Sequence, residues 1–152
     1  MIPVFQTKFG ADGNCFSACL ASLLELNIDD VPNFYEIGGA ENVTWWNSVR
    51  EWLEQVGLGL VVMSLPSIEC IDYLKGIHIV SGETIRGGGI LHATLWESGK
   101  MIHDPHPLGD GLTSLIYVCF LYPLDAAQFR KALWSTREIS TITHPDTKNT
   151  DI

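Results

Sequence analysis

Apolar residues recur with helical spacing in two stretches near the start of the chain. The first begins with Cys15, and intervals of three and four residues between its apolar positions predict a helix over residues 15–26. The second begins after Thr44, which can cap a helix, and ends at Gly57. The residues between them are rich in Asp, Asn, Pro and Gly, which predicts a loop over 29–42.

Beyond Gly57 the apolar pattern changes to short runs that contain β-branched residues, which is typical of strands. A hairpin is predicted over residues 90–107, because two apolar runs flank a polar turn at 97–100 that contains glycine. The other predicted elements are strands within 58–65, 76–82 and 114–123, a short helix or turn within 66–75, a closing helix over 125–134 and a frayed polar end from residue 135.

The order of these elements predicts an α+β fold. Helices come first and antiparallel strands follow, without the regular alternation that a doubly wound sheet requires. A chain of 152 residues is long enough to bury one hydrophobic core. We therefore expect a single domain over residues 1–136 and a polar, flexible tail over 137–152.

Composition and charge narrow the function classes. Hydrophobic residues make up 46% of the chain and no apolar run approaches a membrane span, so a globular protein without a membrane partner is expected. The first residues lack the basic and apolar regions of a signal peptide, which favours a cytoplasmic location. A formal charge of −9 repels phosphate backbones and argues against nucleic acid as a partner.

The four cysteines are expected to be reduced thiols, because they lie in or beside apolar segments of a chain without an export signal. Cys15 and Cys19 are separated by one helical turn, and their positions predict different roles. A helix N-terminus offers unpaired N–H groups and a partial positive charge, which favour a thiolate at Cys15. Cys19 falls on the apolar face and is expected to pack in the core, although Cys15 could also be a buried structural residue.

A thiolate that attacks a carbonyl needs a partner to manage protons, and that partner needs an orienting acceptor. His92 is the candidate base, because it lies in an alternating strand pattern directly after the glycines 87–89. Asp104 lies across the predicted hairpin, where paired strands would place it beside His92. Taken alone, His92 could instead be a core histidine and Asp104 a turn residue.

Two stretches carry a family resemblance: "GNCFSACLASLL" and, far downstream, "HATLWESGKMIHDP". Together they resemble the papain-like cysteine peptidase superfamily, especially the compact branch that cuts bacteriocin leader peptides, and small uncharacterised bacterial and phage proteins with GNCFxAC and HDPHP motifs. The resemblance spans residues 6–107. It implies a papain-like α+β fold in which an N-terminal helix bearing Cys15 packs on an antiparallel sheet bearing His92 and Asp104, which would act as nucleophile, general base and acid, and orienting residue.

The resemblance also implies a glutamine upstream of the cysteine that binds the oxyanion. Gln6 is the matching residue, but it lies nine positions before Cys15, so the intervening loop must bulge to bring it back. Asn14 is the alternative side-chain donor. The backbone N–H of Cys15 can serve as the second donor in either case.

Four residues are predicted to bind substrate. Gly88 and Gly89 can form a substrate edge beside His92, or simply a flexible loop. Trp45 and Trp46 are adjacent on the second predicted helix and cannot both face inward equally, so one of them is expected to line a cleft while the other packs in the core.

The expected function is a cysteine-dependent hydrolase that cleaves an amide, peptide or isopeptide bond of a peptide or protein through a thioester, without a cofactor or a metal. Two alternatives remain open: a catalytically silent binding protein with the same fold, and an acyltransferase or deamidase that uses the same residues. A metal site at His103, Asp104 and His106 is less favoured, because neighbouring residues of an extended segment point to opposite faces. The oligomeric state is left open.

Overall fold

The computed structural model describes residues 1–39, 43–64 and 68–128, except for the side chains of 68–70. Its helices are α1 (Cys15–Leu24), α2 (Phe34–Gly38) and α3 (Val43–Gln55), and its strands are β1 (Leu58–Ser64), β2 (His78–Gly82), β3 (His92–Glu97), β4 (Lys100–His103) and β5 (Tyr117–Pro123). Short 3₁₀ turns lie at Gly10–Asp12, Ile28–Asp30 and Ile68–Tyr73. None of the described helices is long and apolar enough to cross a membrane.

The chain is α+β, as the order of elements predicted, with helices packed on a five-stranded antiparallel sheet. The strand order is β1-β5-β2-β3-β4, so the last of the described strands lies between the first and the second. Ile79 of β2 pairs with Cys119 of β5, and Val62 of β1 pairs with Cys119 from the other side. The sheet therefore depends on pairing between segments that are far apart in sequence.

The β3–β4 hairpin forms at the predicted place. Its turn consists of Ser98 and Gly99, both of which have positive φ, as the tightest hairpin connections require. The register shifts between Leu95 and Trp96, so that Leu95 pairs with His103 while Trp96 pairs with Met101. This irregularity sets which residues at the far end of the hairpin lie opposite the start of β3.

The main core lies between the sheet and the helices. Helix α1 packs against β3, and α3 packs against β1 and α2. Trp45 is fully buried and its ring meets the rings of Phe16 and Phe34 edge-on. The burial of an indole between α1, α2 and α3 holds the three helices together.

Two local features differ from the sequence predictions. Helix α1 ends at Leu24 rather than at residue 26, because Glu25 takes the left-handed conformation. The predicted loop over 29–42 contains α2, whose first turn is capped by Asn33: its side chain accepts a hydrogen bond from the N–H of Tyr35 at 3.3 Å. The single turn of α2 is too short to give a periodic apolar pattern.

The end of the chain is described only in part. Asp125 Oδ1 accepts hydrogen bonds from the N–H groups of Ala127 and Gln128, which is the geometry of a helix cap. The rest of the helix predicted over 125–134 and the tail predicted over 137–152 lie outside the described residues.

Candidate active site

Cys15 is the first residue of α1 and lines a cavity of about 300 Å³. It is only 7% exposed, and no side chain caps the helix in front of it. His92, the first residue of β3, lines the same cavity. Because α1 packs against β3, the beginning of the helix and the beginning of the strand meet at this cavity.

A buried hydrogen bond joins His92 to Asp104. The distance from His92 Nε2 to Asp104 Oδ1 is 2.7 Å, and both side chains are less than a tenth exposed. His92 and Cys15 line the same cavity, and the Cys15 side chain lies close enough to raise the pKa of His92. Since Asp104 occupies Nε2, the nitrogen that faces Cys15 is Nδ1. The three residues named from the sequence thus lie together: Asp104 holds His92 by a hydrogen bond, and His92 lies beside Cys15.

Asp104 is held by the backbone as well as by His92. It directly follows β4, and its Oδ1 also accepts the N–H of His106 at 2.8 Å, while its Oδ2 accepts the N–H of Gly111 at 2.9 Å. Three donors on two oxygens fix the position of the carboxylate. The carboxylate in turn fixes the orientation of the imidazole.

These contacts change the protonation of the pair. Burial by itself lowers the pKa of His92, but the hydrogen bonds with Asp104 and Cys15 and the charges of both groups raise it to about 9. For Asp104, burial raises the pKa, while the hydrogen bonds from His92 and from the N–H groups of His106 and Gly111 outweigh it and lower the pKa to about 2. At neutral pH the pair is therefore an imidazolium beside a carboxylate.

Cys19 differs from Cys15 in its surroundings. It is fully buried in the main core, one turn further along α1. Burial, followed by the proximity of Cys15, Asp104 and Cys119, raises the pKa of its thiol well above the usual value. Cys19 is a neutral packing residue, as its position on the apolar face predicted.

The segment before Cys15 bulges, as the long spacing to Gln6 requires. The N–H of Gln6 donates to the carbonyl of Pro105 at 3.0 Å, and a 3₁₀ turn at Gly10–Asp12 takes up the extra length. Gln6 lines the cavity beside Cys15, is 8% exposed, and donates from Nε2 to the carbonyl of Lys8 at 2.8 Å. An amide nitrogen carries two hydrogens, so one donor remains beyond this bond.

Asn14 has a structural role instead of lining the cavity. Its Oδ1 accepts hydrogen bonds from the N–H groups of Thr7 and Lys8, and its Nδ2 donates to the Thr7 hydroxyl. It is buried and does not line the cavity. The side chain that the sequence left as an alternative oxyanion donor is thus committed to shaping the bulged loop that presents Gln6.

The glycines before His92 border two adjoining cavities. A second cavity of about 490 Å³ shares Tyr35, Ile90 and Leu91 with the first one. Gly87 lines the first and Gly89 lines the second, while Gly88 lines neither. All three have positive φ, between 67° and 89°, which explains the run of glycines without any requirement from a substrate.

Of the two adjacent tryptophans, one was expected to line a cleft and the other to pack in the core. Trp45 is fully buried, and Trp46 is partly buried with its ring against Phe16 and Tyr117. Neither lines either of the two cavities. Both rings contact Phe16, so these tryptophans pack in the core against α1.

Sequence reasoning missed the two basic side chains of the cavity wall besides His92. Arg86 lines the cavity and pairs with Asp110, with 3.1 Å between Nη1 and Oδ2. His106 also lines it, and its ring lies edge-on to those of Phe9 and His92. The "HDPH" motif pointed to His106, but only as a metal ligand, and nothing local in the sequence singles out Arg86.

The histidines of that motif separate in space. His103 Nε2 donates to the carbonyl of Val4 at 2.9 Å, and its ring packs on Phe5, whereas Asp104 turns toward His92. Across residues 1–39, 43–64 and 68–128, no group of three or more His, Cys, Asp or Glu side chains could hold a metal ion. The motif instead anchors the N-terminal segment on one face and the imidazole on the other.

Comparisons with protein-family models, with curated proteins and with solved structures give no match to this chain. The resemblance to papain-like peptidases therefore stays a prediction, and function has to be argued from the geometry around Cys15.

Proposed function

We propose that the protein is a cysteine-dependent hydrolase that cleaves an amide, peptide or isopeptide bond through a Cys15–His92–Asp104 triad. The observation that carries this proposal is that Asp104 holds His92 at 2.7 Å on the wall of the cavity that Cys15 lines at the start of α1. An imidazolium and a helix N-terminus both favour a thiolate. A papain-like relationship is part of the same proposal, supported by the order of the three residues along the chain.

The first half of the reaction forms a thioester. The Cys15 thiolate attacks the carbonyl carbon, and the oxyanion that forms accepts hydrogen bonds from the Cys15 N–H and from Gln6 Nε2. As the C–N bond breaks, the His92 imidazolium gives its proton to the leaving amine. The product is an acyl group on Cys15 beside a neutral imidazole.

The second half restores the site. His92 takes a proton from a water molecule, and the resulting hydroxide adds to the thioester carbonyl. The C–S bond then breaks, which releases the carboxylic acid and leaves a thiolate beside an imidazolium. Asp104 keeps the imidazole oriented in both halves and stabilises its charged form.

The shape of the site favours a peptide or protein as substrate. The cavity beside Cys15 continues into the second cavity through Tyr35, Ile90 and Leu91. A polypeptide that places its scissile carbonyl at Cys15 thus has room for further residues in the adjoining cavity, which a closed pocket for a small amide would not provide.

Selective alkylation of Cys15 tests the activated thiolate. With iodoacetamide and peptide mapping by mass spectrometry, we expect Cys15 to react near neutral pH faster than a free thiol, and at least about tenfold more slowly in His92→Gln. His103→Gln is the matched control, since it alters a buried histidine that contacts Val4 instead of Cys15. Equal rates in the wild type and His92→Gln would refute the proposed activation.

Turnover of a library of peptides and isopeptides then distinguishes the three functions. Hydrolytic products that disappear in Cys15→Ala support the hydrolase. Binding that persists in Cys15→Ala without any product would instead indicate a catalytically silent binding protein. Transfer of the acyl group to an added amine in preference to water would indicate an acyltransferase.

A further inference from the structure

Arg86 lines the cavity that contains Cys15 and His92. Burial and then the positive charge of Arg86 lower the pKa of His106, which lines the same cavity, so the guanidinium acts on this wall. Its bond to Asp110 uses one of the five N–H donors of a guanidinium, and the described residues provide no other hydrogen-bond acceptor for it. Asp110 does not line the cavity, so the carboxylate that pairs with Arg86 is not part of the wall that a ligand would meet. The ion pair therefore holds Arg86 in place and leaves most of its donors for a ligand.

The neighbouring wall is also rich in donors. His106 Nδ1 accepts the N–H of Leu108 at 3.2 Å, so the proton of the neutral ring is on Nε2, which can donate. The hydroxyl of Thr84 and the amide of Gln6 line the same cavity. No Asp or Glu is among the described residues that line it. An anionic group would thus meet a cation and several neutral donors without facing a like charge on this wall.

We propose that this wall binds a carboxylate of the substrate and that Arg86 is the residue that selects it. The proposal rests on the proposed function, because it takes Cys15 as the reacting residue. An arginine fork matches the geometry of a carboxylate, and a partly desolvated arginine makes strong charge-assisted hydrogen bonds. The carboxylate belongs either to an Asp or Glu side chain near the scissile bond or to the C-terminus of the substrate.

The net charge of the whole chain helps to show where a preference for an anionic ligand comes from. At −9 the protein repels anions at long range, so a preference for an anionic ligand must come from groups inside the cavity. His92 contributes to any such preference, but it is present in every Arg86 variant. A substitution at Arg86 therefore isolates the effect of the guanidinium.

Two thiol reagents that differ only in charge test the proposal. Iodoacetate and iodoacetamide alkylate a thiolate by the same displacement of iodide, but only iodoacetate carries a carboxylate. We expect the ratio of their rates at Cys15 to fall at least about threefold in Arg86→Gln, and this difference to shrink with added salt. Arg50→Gln on α3 is the matched control, because it removes the same charge from a residue that does not line the cavity.

A variant that keeps the positive charge at position 86 distinguishes a loss of carboxylate binding from damage to the loop that carries Arg86. Arg86→Lys should keep a preference for iodoacetate between those of the wild type and Arg86→Gln, since the cation remains but the fork is lost. An unchanged ratio in Arg86→Gln, or an equal loss in Arg86→Lys and Arg86→Gln, would overturn the proposal.

The result is independent of whether Cys15 is an activated nucleophile. Both reagents need only a thiolate, so the ratio can be measured at a pH where any accessible thiol ionises. Slow labelling by both reagents with intact dependence on Arg86 would reject the hydrolase and keep the anion site. Fast labelling without that dependence would reject the anion site and keep the hydrolase.

Matched peptides then identify the source of the carboxylate. For a peptide that the enzyme cleaves, Glu→Gln near the scissile bond and amidation of the free C-terminus each remove one carboxylate. We expect one of these changes to lower kcat/KM in the wild type and to have little effect in Arg86→Gln. If neither change alters kcat/KM in the wild type, the proposal is wrong.

Discussion

Replacement of Asp104 by Asn should destabilise the fold in a way that depends on pH. Asp104 accepts three hydrogen bonds and is the partner that keeps His92 charged. Asn keeps the size of the side chain but presents one acceptor oxygen instead of two and carries no charge. One of the three N–H donors therefore loses its acceptor at every pH, which costs about 1–3 kcal/mol.

The pH-dependent part follows from the raised pKa of His92. A group whose pKa is higher in the folded state stabilises that state fully below its unfolded pKa, here 6.5, and loses the contribution as pH rises through the folded pKa of about 9. The difference corresponds to about 3 kcal/mol. The lowered pKa of Asp104 has the opposite sign: its contribution is complete above 3.8 and is lost as pH falls toward 2. The pair is therefore most stabilising between about pH 4 and 6.5.

Urea unfolding of the wild type and Asp104→Asn at pH 6 and at pH 9.5 measures both parts. We expect the difference in free energy of unfolding to be about 4–6 kcal/mol at pH 6 and to shrink by at least about half at pH 9.5. Asp110→Asn is the control, because it removes a carboxylate of the same loop that pairs with Arg86 at a more exposed site; an effect below about 1 kcal/mol, equal at both pH values, is expected. A difference for Asp104→Asn that does not change with pH would refute the ion pair.

Three further substitutions have separable outcomes. Gln6→Ala should lower kcat by about 10²-fold while alkylation of Cys15 by iodoacetamide stays at the wild-type rate, since alkylation forms no oxyanion; an equal loss of both would show that the loop has moved. Trp45→Ala should lower the free energy of unfolding in urea by about 3–5 kcal/mol, because the indole is fully buried. A loss below about 1 kcal/mol would contradict its place in the core. Gly82→Ala should cost at least about 1–3 kcal/mol in the same assay, because a Cβ would collide with the backbone carbonyl of Ser114; wild-type stability would show that β2 can shift.

The local pattern of apolar and polar residues was enough to place most of the helices and strands. Helix α1 begins at Cys15, the hairpin turn lies within 97–100, and strands lie within each predicted apolar run. These elements extend over several residues, so the period of their apolar positions is visible in the sequence. Helix α2 has a single turn, and its apolar face is too short to show a period.

The order of the strands in the sheet could not be predicted from the sequence. β5 pairs with both β1 and β2, across separations of tens of residues. Several buried apolar strands of similar composition can be paired in more than one order, and the choice depends on how all of them pack together with the helices. The antiparallel class was predictable, whereas the order was not.

The residues of the candidate site also divide into those that the sequence could identify and those that it could not. The types and order of Cys15, His92 and Asp104 were sufficient to name them, because a helix start and a hairpin constrain where such residues lie. The bulge that brings Gln6 to the cavity, and the use of Asn14 to shape that bulge, depend on hydrogen bonds within an irregular loop. Irregular backbone has no period, so the sequence alone left both residues as candidates.

The sequence by itself determined the fold class, the helix that begins at Cys15 and the separation of Cys15 from Cys19, because each of these depends on neighbours within a few residues. Only the tertiary structure decided which side chains share the cavity. Arg86 and His106 reach it because a glycine-rich loop and the segment after β4 converge on the start of α1. Convergence of that kind results from packing across the whole domain, and packing leaves no periodic trace in the sequence.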